Sequence, residues 1–226
     1  MEHFWNSLID FFLPGFCPGC GRKLPPDSRY ICNECIGKIK RPGKKKIEYE
    51  FKKKFEGAGI ISDFIALFLF EKNKELQNVI HALKYGRRFR IGIFLGELLG
   101  DAILKEFSKY QIDLVLPVPL HHLKKAEREY NQSYYIAKGI CKSTGQKINN
   151  HFIKRIKYTE SQTTLNISER ERNLRDAFIC KKKLKGENIL IVDDVSTTGA
   201  TFQECGRVLL NAGAGKVYAA SVAVPE

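Results

Sequence analysis

The run NILIVDDVSTTGATFQECGRVLLNAGAGKVYAASVAV, residues 188–224, constrains the fold more than any other part of the chain. Ile189 to Val192 are four consecutive apolar residues, the pattern of a strand covered on both faces in a parallel sheet. A helix is predicted from about Thr201 to Ala212, because Phe202, Cys205, Val208, Leu209 and Ala212 fall on one stripe and Gly213 stops it. KVYAASVAV follows as a second strand. Strand, helix and strand within so short a stretch make a βαβ unit, with parallel strands, a right-handed crossover and ligands at the carboxyl ends of the strands. At such an end sit two adjacent carboxylates, Asp193 and Asp194, followed by STTGAT. Packing alone does not call for that pair.

The rest of the chain supplies the other parts of an α/β domain. IISDFIALFLFEKN reads as a largely buried strand, and ELQNVIHALKYG as a helix with apolar residues at 76, 79, 80 and 83 and Gly86 as its stop. A second helix is expected over about 94–108, where Gly92, Gly96 and Gly100 have the spacing of a close-packed helix face. QIDLVLPVPL is a buried strand ended by Pro117 and Pro119; HHLKKAERE reads as a basic loop, and YNQSYYIAKGICKSTG as a helix capped by Gly145. HFIKRIKY reads as another strand. The polar stretch TESQTTLNISERERNLRDAF is either a helix with a wet face or a functional loop, and 157–175 is the candidate mobile cover of a site. RPGKKKIEYEFKKKFEGAG reads as a linker or an exposed hairpin, dividing the chain into 1–45, a basic segment 46–60 and 61–226.

Over 226 residues the formal charge is +13, which favours polyanionic partners without choosing among them. No run approaches the roughly 18 apolar residues of a membrane span. The N-terminus MEHFWNSLIDFFLPGF lacks a basic first region and carries Asp10 in its apolar stretch, so a cytoplasmic location is expected.

Four of the seven cysteines form C-x2-C-x11-C-x2-C: Cys17, Cys20, Cys32 and Cys35. Two such knuckles complete a closed tetrahedral thiolate site, as structural zinc requires; disulfides are the alternative, disfavoured in a reducing compartment. Cys141, Cys180 and Cys205 fall inside predicted elements and read as small core residues.

STTGAT suits a phosphate. The turn after a parallel strand presents backbone N–H groups and the positive end of a helix; Gly199 permits close approach, Thr197, Thr198 and Thr201 add hydroxyls, and Thr201 is placed to cap the helix. Paired carboxylates before that turn suit the vicinal hydroxyls of a ribose, or a metal's water shell. An ATPase P-loop is excluded, since its nearest match, LNAGAGKV, has Leu210 for the first glycine and Val217 for Ser or Thr.

IVDDVSTTGAT resembles the signature of type I phosphoribosyltransferases, and further stretches resemble the ComF family of competence-associated phosphoribosyltransferase-like proteins: HALKYGRR, LPVPLHHLKKAEREYNQS, and the spaced Arg155, Thr159, Gln162, Leu165, Arg170, Asn173, Ala177 and Phe178. The resemblance implies an α/β fold with a parallel sheet and flanking helices, plus a small N-terminal zinc ribbon with four cysteine ligands. It implies that Asp193 and Asp194 hold the ribose of 5-phosphoribosyl-1-diphosphate (PRPP), and indirectly Mg²⁺, as the catalytic pair. PRPP contacts are then expected from Val195, Ser196, Thr197, Thr198, Gly199, Ala200 and Thr201, and from Pro119, Lys84 and Arg128. Arg87, Lys124 and Lys125 are further candidate cations, while His121 and His122 read as an exposed pair without an assigned role. Many relatives have Arg-Gly-Phe-Asn-Gln where this chain has Arg128-Glu129-Tyr130-Asn131-Gln132, which puts backbone freedom at Glu129 in question.

Two kinds of function follow from the resemblance. One is a Mg²⁺-dependent phosphoribosyltransferase, releasing pyrophosphate as it transfers to an acceptor the sequence does not name. The other is a catalytically silent fold that handles single-stranded DNA in natural competence, or docks a competence helicase through its zinc ribbon. Tyr49, Phe51 and Phe55 in the basic segment are the residues that favour DNA.

Overall fold

The structure, a computed structural model, describes residues 15–72, 74–106, 111–158 and 174–226. Most of the candidate cover, with Thr159, Gln162, Leu165, Arg170 and Asn173, lies outside the described residues, as do residues 1–14.

The βαβ reading holds: β6 (Ile189–Val195), α7 (Ala200–Asn211) and β7 (Val217–Pro225) follow in order, and the two strands pair in parallel. With β1 (Asp63–Phe70), β2 (Leu114–Pro117) and β3 (Lys147–Ile148) they form a five-stranded, all-parallel sheet in the order β1-β7-β6-β2-β3. Alternation along β6 explains its composition. Leu190 and Val192 face one core with Ile65, Leu67 and Tyr218, while Ile189 and Ile191 face the other with Phe64, Phe202 and Leu209. Both faces are covered, so both need apolar side chains.

The first face carries α3 (Glu75–Tyr85), α4 (Phe89–Glu106) and α6 (Gln132–Thr144). Helices α4 and α6 cross with their backbones in contact: a Cβ on Gly96 would stand 2.1 Å from the Ile136 carbonyl oxygen, and one on Gly139 2.1 Å from that of Ile93. The glycine spacing read from the sequence is therefore the seam of a close contact between two helices of the domain. The cysteine module, with its short helix α1 (Asn33–Lys38), packs on this same face; Cys17, Ile31 and Cys35 share a core with Leu76 and Val79.

Three expectations are corrected. The stretch read as a linker or hairpin is a helix, α2 (Lys44–Lys54), running into a 3-10 turn at Glu56–Ala58; Phe55 sits in the second core against Phe64 and Phe202. The lysines give that segment the look of a solvated linker, while Ile47, Phe51 and Phe55, at helical spacing, supply its apolar face. The supposed loop HHLKKAERE contains a helix, α5 (His122–Arg128), started by His121, whose Nδ1 accepts from the Leu123 N–H at 3.4 Å. HFIKRIKY does hold a strand, β4 (Ile153–Arg155), which pairs antiparallel with β5 (Phe178–Cys180) in a ribbon separate from the main sheet. Of the three cysteines assigned to the core, Cys205 is fully buried, but Cys141 and Cys180 are only partly so. No described helix is long and apolar enough to cross a membrane.

Candidate functional site

Asp193 and Asp194 lie at the carboxyl end of β6, in the middle of the sheet, with environments that drive them apart. Asp194, 5% exposed, pairs with the ammonium of Lys84 from α3. Burial opposes ionisation, but Lys84 outweighs it and holds the Asp194 carboxyl below the usual range. Asp193 accepts from Ser133 Oγ at 2.7 Å and from the Asp194 N–H at 2.9 Å. Burial and the neighbouring Asp194 charge nevertheless push its carboxyl up to about 7. One carboxylate is thus firmly charged and the other poised to exchange a proton near neutrality.

The motifs HALKYGRR and REYNQS meet over this pair. Arg128 lies over the Tyr85 ring at 5.2 Å and donates to Gln132 Oε1 at 3.1 Å, and the Tyr130 hydroxyl donates to the Leu83 carbonyl. Asn131 starts α6, its Oδ1 accepting from the Ser133 N–H at 3.0 Å and its Nδ2 donating to the Val118 carbonyl at 2.9 Å. It therefore ties the Pro119 loop after β2 to the helix that presents Ser133 to Asp193. Glu129 takes the left-handed backbone (φ 65°) that glycine adopts without strain, and it pairs with Arg87, itself left-handed at φ 55°. The replaced glycine leaves the turn in place.

Cations lie near the acids: Lys84 pairs with Asp194, Arg128 acts on it, and Arg155 is near enough to feel Asp193. Burial pulls the Lys124 ammonium down, and the charges of Arg155, Arg128 and Lys84 lower it further against the opposing Glu127, so these groups share one field. Burial also lowers Arg155, opposed by Cys205 and Asp193. The guanidinium of Arg155 covers the Phe178 ring at 5.4 Å. Of this set the sequence singles out only Lys84 and Arg128 as PRPP ligands; it marks Arg155 merely as a pattern residue. Arg87 pairs outward with Glu129, and Lys125 is exposed. His121 is buried rather than exposed; desolvation, with His122, Arg155 and Lys124 nearby, lowers its imidazole and favours the neutral form.

The turn after β6 is held from beneath. Gly199 is left-handed (φ 81°), and any Cβ there would meet Phe55 Cε1 at 2.8 Å. Lys54 Nζ, from the end of α2, donates to the Ser196 carbonyl at 2.8 Å, and Gln203 Nε2 returns a bond to the Lys54 carbonyl at 2.7 Å. Thr201 does not cap α7. The cap position belongs to Gly199, which has no side chain to offer, while Thr198 Oγ1 accepts from the Ala200 N–H at 3.3 Å. The amides of the first turn thus keep donor capacity, as an anion site needs. Val195 packs its side chain against the first core and Ala200 is buried. Ser196 Oγ, Gln203 Oε1 and Arg128 Nε are among the buried side-chain atoms without a hydrogen-bond partner among the described residues.

The four N-terminal cysteine sulfurs lie within 4.8 Å of one another. Cys20 and Cys32 are 3.8 Å apart, close to the sulfur spacing that tetrahedral geometry gives with bonds of ~2.3 Å. The Cys32 and Cys35 N–H groups donate to Cys17 and Cys32 Sγ, and the Arg22 guanidinium pulls the Cys20 thiol down to about 6. This donor set fits a structural Zn²⁺.

The parallel sheet, its flanking helices and the acidic pair before the Thr-Gly turn make this a protein of the type I phosphoribosyltransferase fold, with a four-cysteine module added. Its homologues include competence protein F of Haemophilus influenzae, 31% identical over 144 residues, and the DNA utilization protein YhgH of Salmonella typhimurium, 33% identical over 145. These matches cover 61% and 63% of this chain, and 63% and 64% of the relatives, just under two thirds of their length. An amidophosphoribosyltransferase of H. influenzae is 32% identical over 137 residues, 59% of this chain and 25% of that one. Among solved structures, the glutamine PRPP amidotransferase of B. subtilis aligns with 62% of this chain and 30% of its own at 19% identity, with a TM-score of 0.42. No protein-family model matches the chain.

Proposed function

We propose that this protein binds PRPP at Asp193, Asp194 and the 195–201 turn, and that it works in the cytoplasm on the handling of transforming DNA. The observation that carries the binding site is one arrangement: an acidic pair, an anion-ready helix start with an orphaned Ser196 hydroxyl, and the cations Lys84, Lys124, Arg128 and Arg155 near them. In this reading the two carboxylates accept from the ribose hydroxyls. Amides of the 196–201 turn and the threonine hydroxyls hold the 5′-phosphate. The cation set and the Pro119 loop face the diphosphate, whose growing charge they stabilise as an acceptor displaces it. Mg²⁺ bound with PRPP supplies further charge neutralisation at the diphosphate. Cys17, Cys20, Cys32 and Cys35 would hold Zn²⁺, which would supply folding free energy to the N-terminal module.

A second reading has its own observation. Helix α2 exposes Tyr49 with the ammonium groups of Lys46 and Lys53 each 5.7 Å from its ring, a stacking face set in positive charge. A fold that binds single-stranded DNA without chemistry, or docks a helicase through the cysteine module, uses that surface and not the acidic pair. The names of the relatives, a competence protein and DNA utilization proteins, support the DNA context. The experiment is to compare wild type with Asp193→Asn plus Asp194→Asn. Loss of PRPP-dependent pyrophosphate release, with single-strand binding and its salt slope intact, supports the enzyme reading. A wild type that releases no pyrophosphate with any nucleobase or amine acceptor while binding DNA supports the second.

A further inference from the structure

The cysteine module and the start of α4 border an open pocket of about 490 Å³ whose lining includes neither Asp193 nor Asp194. Its walls carry the rings of Phe16, Tyr30 and Phe89 and the four arginines Arg29, Arg87, Arg88 and Arg90, with no carboxylate among the described residues. The sequence produces this directly: Gly86 ends α3, Arg87 turns the chain with a left-handed backbone, and Arg88, Phe89 and Arg90 follow at the start of α4.

Three of the guanidiniums are steered by partners. Arg88 Nη1 donates to the Phe16 carbonyl at 2.7 Å, which joins the cysteine module to the cavity floor. Arg29 pairs with Glu97 at 2.9 Å, a carboxylate shared with Lys142, and Arg87 pairs with Glu129. Arg90 is exposed and makes no ion pair or hydrogen bond among the described residues. Two carboxylates outside the wall therefore face four guanidiniums and a lysine, and the cavity keeps an excess of positive charge. Its rings are open too: Phe16 is 46% and Phe89 39% exposed, with Phe89 backed by Tyr135 at 4.8 Å between ring centroids.

An apolar ligand would use only the rings, and a bare anion only the arginines. A planar ring carrying a phosphate uses both, since guanidinium groups bind phosphate in a two-pronged fashion and aromatic faces stack on bases. The volume lies within the roughly 300–1,000 Å³ usual for small-molecule sites. We propose that this cavity binds a nucleoside 5′-monophosphate, with its base on the Phe16, Tyr30 and Phe89 rings and its phosphate on Arg90 and its neighbours.

The test uses the full zinc-loaded chain carrying Asp193→Asn and Asp194→Asn, so that binding here is separated from the proposed PRPP site. Titration calorimetry with adenosine 5′-monophosphate should show one saturable site. Arg90→Ala should weaken it at least tenfold, Arg90→Lys less, and adenosine without phosphate should bind far more weakly. Because Arg90 is exposed, both variants should melt with the double variant. Absence of saturable binding up to millimolar nucleotide overturns the proposal, as does binding indifferent to Arg90→Ala, binding equally tight for adenosine, or binding seen only when the acidic pair is intact. Arg90-dependent binding of oligothymidylate alone also overturns it, making the cavity part of a strand path.

Discussion

Lys54 is the least expected residue near the site, and its removal has a calculable cost. Its side chain is 4% exposed and that of Glu50 6%; Nζ lies 2.6 Å from Glu50 Oε2 and 2.8 Å from the Ser196 carbonyl. Burial draws the Lys54 ammonium down despite the support of Glu50, so the pair is held at some expense. Lys54→Met keeps the stem but strands Glu50 and the Ser196 carbonyl. Breaking a buried pair costs ~3–5 kcal/mol and an unmet buried acceptor ~1–3, and the two overlap because one ammonium serves both. Lys46, 3.1 Å from Glu50, remains as partial compensation. The expected loss is about 3 kcal/mol, a fall in Tm of roughly 6–12 °C for a domain of this size. Adding Glu50→Leu removes the stranded charge and should recover most of that stability. It should not recover PRPP affinity, reduced about tenfold if the Ser196 anchor is worth ~1.4 kcal/mol to the bound turn. Thermal unfolding and calorimetry of the single and double variants separate the two effects. A single variant costing under ~1 kcal/mol, with PRPP affinity unchanged, would refute the idea that α2 holds the phosphate turn.

Further outcomes are expected. Gly96→Ala places a methyl group against backbone that cannot yield, so thermal melts should show a loss of about 3 kcal/mol, at the top of the overpacking range. Asp193, raised from 3.8 to about 7, keeps in the folded state a proton that the unfolded chain loses near pH 4. Its contribution to stability is therefore full below pH 4 and falls as the pH rises toward 7; Asp193→Asn should flatten that fall in a series of denaturant melts. The fully loaded protein should carry one zinc per chain by elemental analysis, and stripping it with a chelator should lower Tm, because Cys17 and Cys35 are part of the core with Leu76.

Where periodicity is long and unbroken the sequence is readable. The strand at 189–195, the helix after it and the Gly86 and Gly145 stops all stand where the apolar spacing and glycines put them. The acidic pair is legible because nothing in packing asks for it. Helix α2 is hidden because its lysines dominate its composition, although Ile47, Phe51 and Phe55 carry a helical signal. Strand β3, two residues long, offers no alternation to detect. Arg155 reaches the site through a separate ribbon, and that long-range pairing is written in no local pattern. The Thr201 cap fails for a local reason: left-handed Gly199 starts the helix two residues earlier.

The most direct measurement is calorimetric titration of the zinc-loaded protein with PRPP and Mg²⁺, for wild type and for Asp193→Asn plus Asp194→Asn. Saturable one-to-one binding in the wild type that disappears in a folded double variant is the expected result. A folded wild type that takes up no PRPP, or a double variant that binds it equally well, would contradict the assignment of the acidic pair to ribose.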